Sequence, residues 1–399
     1  MNPDRLRSSQ DLSLYKALLK DPLINNLNDH IARRDKEGPQ GTRRRLLATS
    51  VRISPGMSPA LTAMVDDCAK HLDVNIPIEL YAYNSAVFNA ACVKPEEGRL
   101  FVMFSSSLLD AFDENELRFV VGHELGHYIY DHHAIPVGYI LNGQTQASPQ
   151  LALQLTSWSR HAEISADRAG AYCTNNFDHV GRALFKLASG ITSNYIQFNL
   201  HDFLQQVEEM RIEDELPTVN SSAQDWFLTH PFSPLRVKAL EVYHRSELAR
   251  EGGCSIHDME LGVQNLMGLM EPSYLDAKTD ASKAMRNLLF AGMLLIANSD
   301  NHISPEEIKL FEDFFGKHKY KEDFDLEKLA KDLPQRAERV CKANSISRRM
   351  QLVRDLCSML RAGGNTNLAG NTLLNDIARR LELPDFFIDQ AACTQTMLD

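Results

Sequence analysis

The chain has no apolar stretch approaching the about 20 residues that a membrane-spanning helix needs; its longest, residues 288–297, reads as a buried helix. The opening Met1-Asn2-Pro3-Asp4-Arg5-Leu6-Arg7 lacks the apolar core of a secretory signal. Cysteine is sparse, with seven scattered residues and no C-x-x-C pair. That odd number argues against a disulfide framework or a cysteine-based metal site, and it fits a reducing compartment. No basic excess exists either. The net charge is −11, which speaks against nonspecific nucleic-acid binding, and Arg43-Arg44-Arg45 reads as a solvated linker. The expectation is a soluble cytoplasmic protein. Its 399 residues, 44% hydrophobic and 24% charged, are ordinary for a globular chain of two or three domains.

What is present is His123-Glu124-Leu125-Gly126-His127, an H-E-x-x-H string. Residues four apart project from one helix face, so the two imidazoles can grip one zinc ion from the same side. Glu124, between them, faces the open coordination position, where it can take a proton from a water. Asp113-Glu114-Asn115-Glu116 has the form of a helix cap with its reciprocal acid, and Leu117, Val120, Val121, Leu125 and Ile129 follow at helical spacing. The string therefore lies in a helix expected over about 114–131.

A catalytic zinc site takes three protein ligands. His133 would fall on the far side of a continuing helix from His127, and it reads, with His132, as a polar helix end before Pro136. Glu163 is the better third ligand. It lies in Ser159-Arg160-His161-Ala162-Glu163-Ile164-Ser165-Ala166-Asp167, where Ala162, Ala166, Ala169 and Gly170 permit close helix packing. Asp167, one turn on, can hold the free nitrogen of a ligand histidine.

H-E-x-x-H followed by E-x-x-A-D resembles the zinc peptidase family of the heat-shock protease HtpX, the CAAX prenyl endopeptidase and the Oma-type proteases. Asn89-Ala90, the run Leu108-Leu109-Asp110-Ala111-Phe112 before Glu116-Leu117, and Thr229-His230-Pro231-Phe232-Ser233-Pro234-Leu235-Arg236 resemble further blocks of that family. The resemblance covers residues 58–247. It implies a zinc-dependent endopeptidase acting on protein or peptide substrates, with Zn2+ on His123, His127 and Glu163 and with Glu124 as base. It also implies that His230 stabilises the oxyanion and that Arg236 supports the site. Ser233-Pro234 reads as a cap with proline at the first helical position, leaving His230 in the preceding loop. Many members span membranes; this chain reads as a soluble one. A zinc aminopeptidase and a catalytically silent scaffold are the alternatives from other classes.

The expected fold is mainly α (α+β): a zincin-like gluzincin domain with a small β-sheet, plus an all-α bundle. The division is a helical extension and linker over 1–57, a peptidase domain over 58–255 and a helical domain over 256–399. Residues 78–83 and 100–104 alternate as strands. The second is expected to be a free edge on which a peptide adds as a strand, placing Asn89, Ala90, Val102 and Phe104 at the substrate. Residues 138–149 read as a lid, and 233–250 as a helix. Asn298 to Glu307 resembles the repeat of TerB-like helical domains, with a diverged second copy around the turn at 363–367. Its expected role is interaction, sensing or control of the protease.

Overall fold

The computed structural model describes residues 2–37, 41–140, 149–174, 176–193, 195–214, 230–270, 280–300, 302–316, 318–321, 323–344, 346–363 and 368–383. The chain forms two compact units, one within 1–209 and 226–266, the other within 210–225 and 267–399. Among the described residues, no helix is long and apolar enough to cross a membrane.

The first unit opens with Ser9–Leu18 (α1), Pro22–Glu37 (α2) and Thr42–Thr49 (α3), then Val51–Ile53 (β1) and Pro59–His71 (α4). Ile78–Tyr83 (β2), Ala90–Glu96 (β3) and Arg99–Ser105 (β4) follow. Next come Ser106–Ala111 (α5), Glu114–Ile129 (α6), Val137–Tyr139 (α7), Pro149–Thr174 (α8), Phe177–Ser189 (α9), Leu200–Asp214 (α10), Ser233–His244 (α11) and Ile256–Met267 (α12). The arginine run expected as linker lies in α3, where Arg43 Nε meets Glu79 Oε1 at 3.1 Å.

The strand order is β1-β2-β4-β3, with β2 and β4 parallel and the other pairs antiparallel. This corrects the expectation for residues 100–104. β4 is central, its backbone is paired on both sides, and Val102 and Phe104 are fully buried in the core. Neither can meet a substrate strand. The edges are β1 and β3, and Pro95 of β3 sits where the register shifts between Val93 and Glu96. A proline has no N–H to offer a ladder and is tolerated at such an edge irregularity.

Asp113 and Glu116 cap α6 reciprocally. The Asp113 side chain accepts from the Asn115 and Glu116 amides at 2.9 Å, and Glu116 Oε2 accepts from the Asp113 amide at 2.8 Å. The helix ends at Ile129 rather than 131, because Asp131 adopts the left-handed region at φ 55° and turns the chain back. α6 lies along α8 with almost no side-chain spacing. A Cβ on Gly122 would stand 2.8 Å from Gly170 Cα, and one on Gly126 2.9 Å from Ala166 Cα. The outer face of α6 packs Phe119, Val121 and Leu125 into a core shared with β4 and α4.

Helix α11 stops at His244, short of 250, and a bridge between Ser246 and Cys254 closes the following turn. Phe232, not Ser233, occupies its cap position. Of the expected lid, residues 141–148 lie outside the described residues.

In the second unit Asp280–Ala297 (α13) buries Leu288, Leu289, Met293 and Leu294. Around it pack Pro305–Phe315 (α14), Leu326–Ala343 (α15), Ile346–Ala362 (α16) and Leu368–Arg380 (α17). Ser304 and Glu307 form the cap before Pro305. Residues 364–367 of the expected second turn lie outside the described residues.

Candidate metal centre

The near-contact of α6 and α8 brings Glu163 opposite the two imidazoles. His123 Nε2 and His127 Nε2 are 3.1 Å apart, and they lie 3.5 Å from Glu163 Oε2 and 3.4 Å from Glu163 Oε1 respectively. Atoms at zinc-ligand distance around a tetrahedral centre stand about 3.3 Å from one another. The three donors, all within 4.8 Å of one another, therefore fit a zinc ion, and nitrogen with carboxylate oxygen is a donor set that zinc takes. Without a cation, two ring nitrogens facing each other beside a carboxylate would be a costly thing to bury.

The surrounding charges favour a cation. Burial opposes charge on His127, yet the Glu163 hydrogen bond and the negative charges of Glu163, Glu124 and Asp167 outweigh it and raise the pKa. Burial likewise disfavours an ionised Glu163, but the histidines and Arg236 hold its carboxyl well below the usual range.

Each imidazole is held from behind. His123 Nδ1 lies 2.9 Å from Asp167 Oδ1. Asp167 is fully buried and is clamped by Arg236, whose Nε and Nη2 donate to Oδ2 and Oδ1 at 2.8 and 2.6 Å. Burial pushes the Asp167 carboxyl up, and the Arg236 charge and hydrogen bonds more than reverse that. Arg236 Nη2 also stands 3.4 Å from Glu163 Oε2. His127 Nδ1 meets His132 Nδ1 at 2.8 Å. Burial, opposed by a hydrogen bond to Asp11 and aided by His127, pushes His132 down to about 4.

Glu124 Oε2 accepts the Cys92 amide at 2.8 Å. His133 Nε2 donates to the Cys92 carbonyl at 2.7 Å. Just before β3, the Asn89 carbonyl accepts from the Ser105 amide at 2.9 Å and the Asn89 amide donates to Ser105 Oγ at 3.0 Å, so alternation turns the backbone groups of Ala90 and Cys92 outward. The Asn89 side chain donates to Tyr83 Oη at 2.9 Å. Asn89, Ala90, Cys92, Glu124, His133 and His230 line a cleft of about 310 Å³. His230 stands at its mouth, 64% exposed at the side chain, with Nε2 3.4 Å from Glu163 Oε1. Thr229 lies outside the described residues.

The structure thus gathers His123, His127, Glu163, Glu124, Asp167, Arg236, His230, Asn89 and Ala90 around one cleft, and leaves Val102 and Phe104 in the core. Sequence reasoning missed His132, His133, the Cys92 backbone and Asp11. Only the pair of histidines after the string signalled any of them.

A curated relative, the plastoglobule-localized metallopeptidase 48, chloroplastic, of Arabidopsis thaliana, is 29% identical over 211 residues, which are 50% of this chain and 61% of the relative. The chain thus spans about three fifths of that relative's length. No solved structure matches the chain. The model of Peptidase family M48 matches residues 56–244, the stretch that holds α6, α8 and α11. Residues 56–244 are accordingly similar to Peptidase family M48, a metal-dependent peptidase family that usually employs zinc.

Proposed function

We propose that this chain is a zinc-dependent endopeptidase whose ion is held by His123, His127 and Glu163. The observation that carries this is the triangle of donor atoms, 3.1 to 3.5 Å on its sides, with Glu124 beside it. When bound, zinc makes a water more acidic and polarises a peptide carbonyl. Glu124, aimed by the Cys92 amide, accepts the proton of the attacking water and returns it to the leaving amine. His230, at the cleft mouth, donates to the oxygen that gains charge. Asp167 keeps the proton of His123 on Nδ1, and Arg236 holds Asp167. An extended substrate pairs with the outward backbone groups of Ala90 on the β3 edge. Those of Cys92 already serve Glu124 and His133.

The helices of the second unit, for which a TerB-like character is our reading, supply regulation or interaction. An unchanged peptidase rate after their removal would refute the regulatory role.

Metal analysis tests the centre. The purified protein should hold about one zinc per chain, as a single three-ligand site does, and Glu163→Ala should lose it. Cleavage of an internal bond in a peptide blocked at its N-terminus separates this reading from an aminopeptidase, which cannot cut it. A zinc-free wild type, or zinc retained in Glu163→Ala, refutes it.

A further inference from the structure

The two ligand imidazoles are supported differently. A ligand histidine donates its other ring N–H to a carboxylate, a carbonyl or a water, which fixes its tautomer and its orientation. His123 does so directly, to Asp167. His127 has another imidazole at that position, His132. The question is what fixes the proton on the His127–His132 pair.

The answer lies 121 residues away in sequence. His132 Nε2 stands 3.1 Å from Asp11 Oδ2. Asp11 is on α1 and is completely buried. Its Oδ1 accepts from Trp158 Nε1 at 2.9 Å and its Oδ2 from Ser165 Oγ at 2.8 Å, while Arg7 Nε donates to Oδ2 at 2.9 Å. Every partner presents a donor, so Asp11 is an ionised acceptor, and His132 Nε2 must carry the proton. A neutral His132 then offers its Nδ1 lone pair. His127 donates Nδ1–H to it, which leaves the His127 Nε2 lone pair facing the donor triangle. The opposite assignment, with a proton on His132 Nδ1, would force the His127 proton onto Nε2 and exclude ligation.

The surroundings hold this arrangement in place. The left-handed Asp131 returns the chain so that His132 reaches His127, and Tyr15 Oη of α1 donates to Asp131 Oδ2 at 2.8 Å. Tyr130 Oη donates to the Pro3 carbonyl at 2.9 Å. Trp158 and Ser165 lie on α8, on either side of Glu163, so one carboxylate touches both metal-bearing segments. The segment is anchored a second time where Glu260 accepts from the Ser9 amide at 2.9 Å and pairs with the buried Arg168.

We propose that the N-terminal segment is part of the active centre: Asp11, acting through His132, is a positioning residue that makes His127 Nε2 a metal-facing lone pair. The proposal rests on the zinc reading above. The support behind His127 is then complete only with α1 docked, as it is in the structure.

The test uses the full chain loaded with zinc. Chelator competition should show Asp11→Asn and His132→Phe binding zinc about tenfold to a hundredfold more weakly than wild type, the usual effect of losing such a support. Glu260→Gln loosens the same segment without touching the relay; it should melt earlier and keep its zinc affinity within about twofold, below the effect of a lost ligand support. Equal weakening in Glu260→Gln and Asp11→Asn reduces the effect to packing and overturns the proposal, as does wild-type affinity in Asp11→Asn. Nitrogen-15 NMR of histidine-labelled wild type reads the protons directly and needs no variant to fold. Protons on His127 Nδ1 and His132 Nε2 are expected; a proton on His132 Nδ1 refutes the relay. Loss of zinc in Glu163→Ala alongside unaltered zinc in Asp11→Asn sinks this proposal and leaves the zinc reading standing.

Discussion

Gly170→Ala is the sharpest probe of the backbone approach that builds the centre. Replacing glycine by alanine inside a helix ordinarily stabilises by about 1 kcal/mol, through the entropy of the unfolded chain. At Gly170 the new Cβ would stand 2.5 Å from the Phe119 carbonyl oxygen and 2.8 Å from Phe119 Cδ2. The first distance falls roughly 1 Å short of an ordinary non-bonded separation. The neighbour is α6 backbone, which cannot rotate aside as a side chain can, so α6 and α8 must part. Overpacking of this kind costs about 1–3 kcal/mol, and a backbone neighbour places it at the upper end, for a net loss of about 2 kcal/mol after the helix gain. In a unit of this size that is a melting point lower by about 4–8 °C. Glu163 rides on the displaced helix, so zinc should also stabilise the variant less than the wild type. Differential scanning calorimetry with saturating zinc and with a chelator measures both effects. Gly262→Ala is the control, since its nearest neighbour is the tip of Val242 at 3.2 Å; it should stay within about 1 kcal/mol of wild type. A Gly170→Ala protein that melts at or above wild type, with an undiminished response to zinc, would refute the close approach.

Glu124→Gln should retain zinc and lose about 100-fold or more in turnover, as expected for loss of a general base, by metal analysis beside peptide hydrolysis. Asp167→Ala strips the buried Arg236 of its main partner; denaturant unfolding should show a loss of about 3–5 kcal/mol, and zinc affinity should fall about tenfold or more. Glu260 yields a pH dependence. Burial raises its pKa, but Arg168 and the Ser9 hydrogen bonds more than offset this and lower it. The folded carboxyl therefore binds its proton less tightly than the unfolded one. Its contribution is full above an unfolded value of about 4.3 and is lost as pH falls through the folded value below that. The stability gap between wild type and Glu260→Gln should shrink on acidification, and a gap that widens contradicts this sign.

The residues of the proposed metal centre were legible because short-range patterns mark them. Four-residue spacing fixes His123 and His127 on one face, and the small residues of α8 announce the close approach that brings Glu163 across. The edge strand was not legible. In Ala90–Glu96 the lysine, proline and glutamate at its end hide the alternation of a strand, although an edge is where sheets tolerate them. The hydrophobic run of β4 reads equally as central or edge strand, and only the pairing decides. His132 was hidden by one backbone conformation. A helix continued to 131 points it elsewhere, and no pattern marks Asp131 as left-handed. Asp11 was out of reach altogether, because apart from its near neighbour Arg7 its partners come from two distant stretches of chain, His132 after α6 and Trp158 with Ser165 on α8.

Charge balance separates a three-ligand cage from a merely anionic hollow. Among the described residues, Glu124, Glu163 and Asp167 gather beside a single guanidinium, Arg236, which sits closest to Asp167. With both imidazoles neutral, two negative charges remain. Protonating both rings would balance them, but the ring centroids are 4.8 Å apart, and two such cations repel by about 3 kcal/mol at an effective dielectric near 20. One divalent ion supplies the same charge without that repulsion and satisfies the facing lone pairs as well. The two carboxylates should then differ in kind. Glu163→Gln removes a charged ligand and should abolish stoichiometric zinc. Glu124→Gln removes the same charge from a residue held by the Cys92 amide and should only trim affinity. Equal losses in the two variants would mean that the ion answers to charge alone, and the donor triangle would no longer explain its binding.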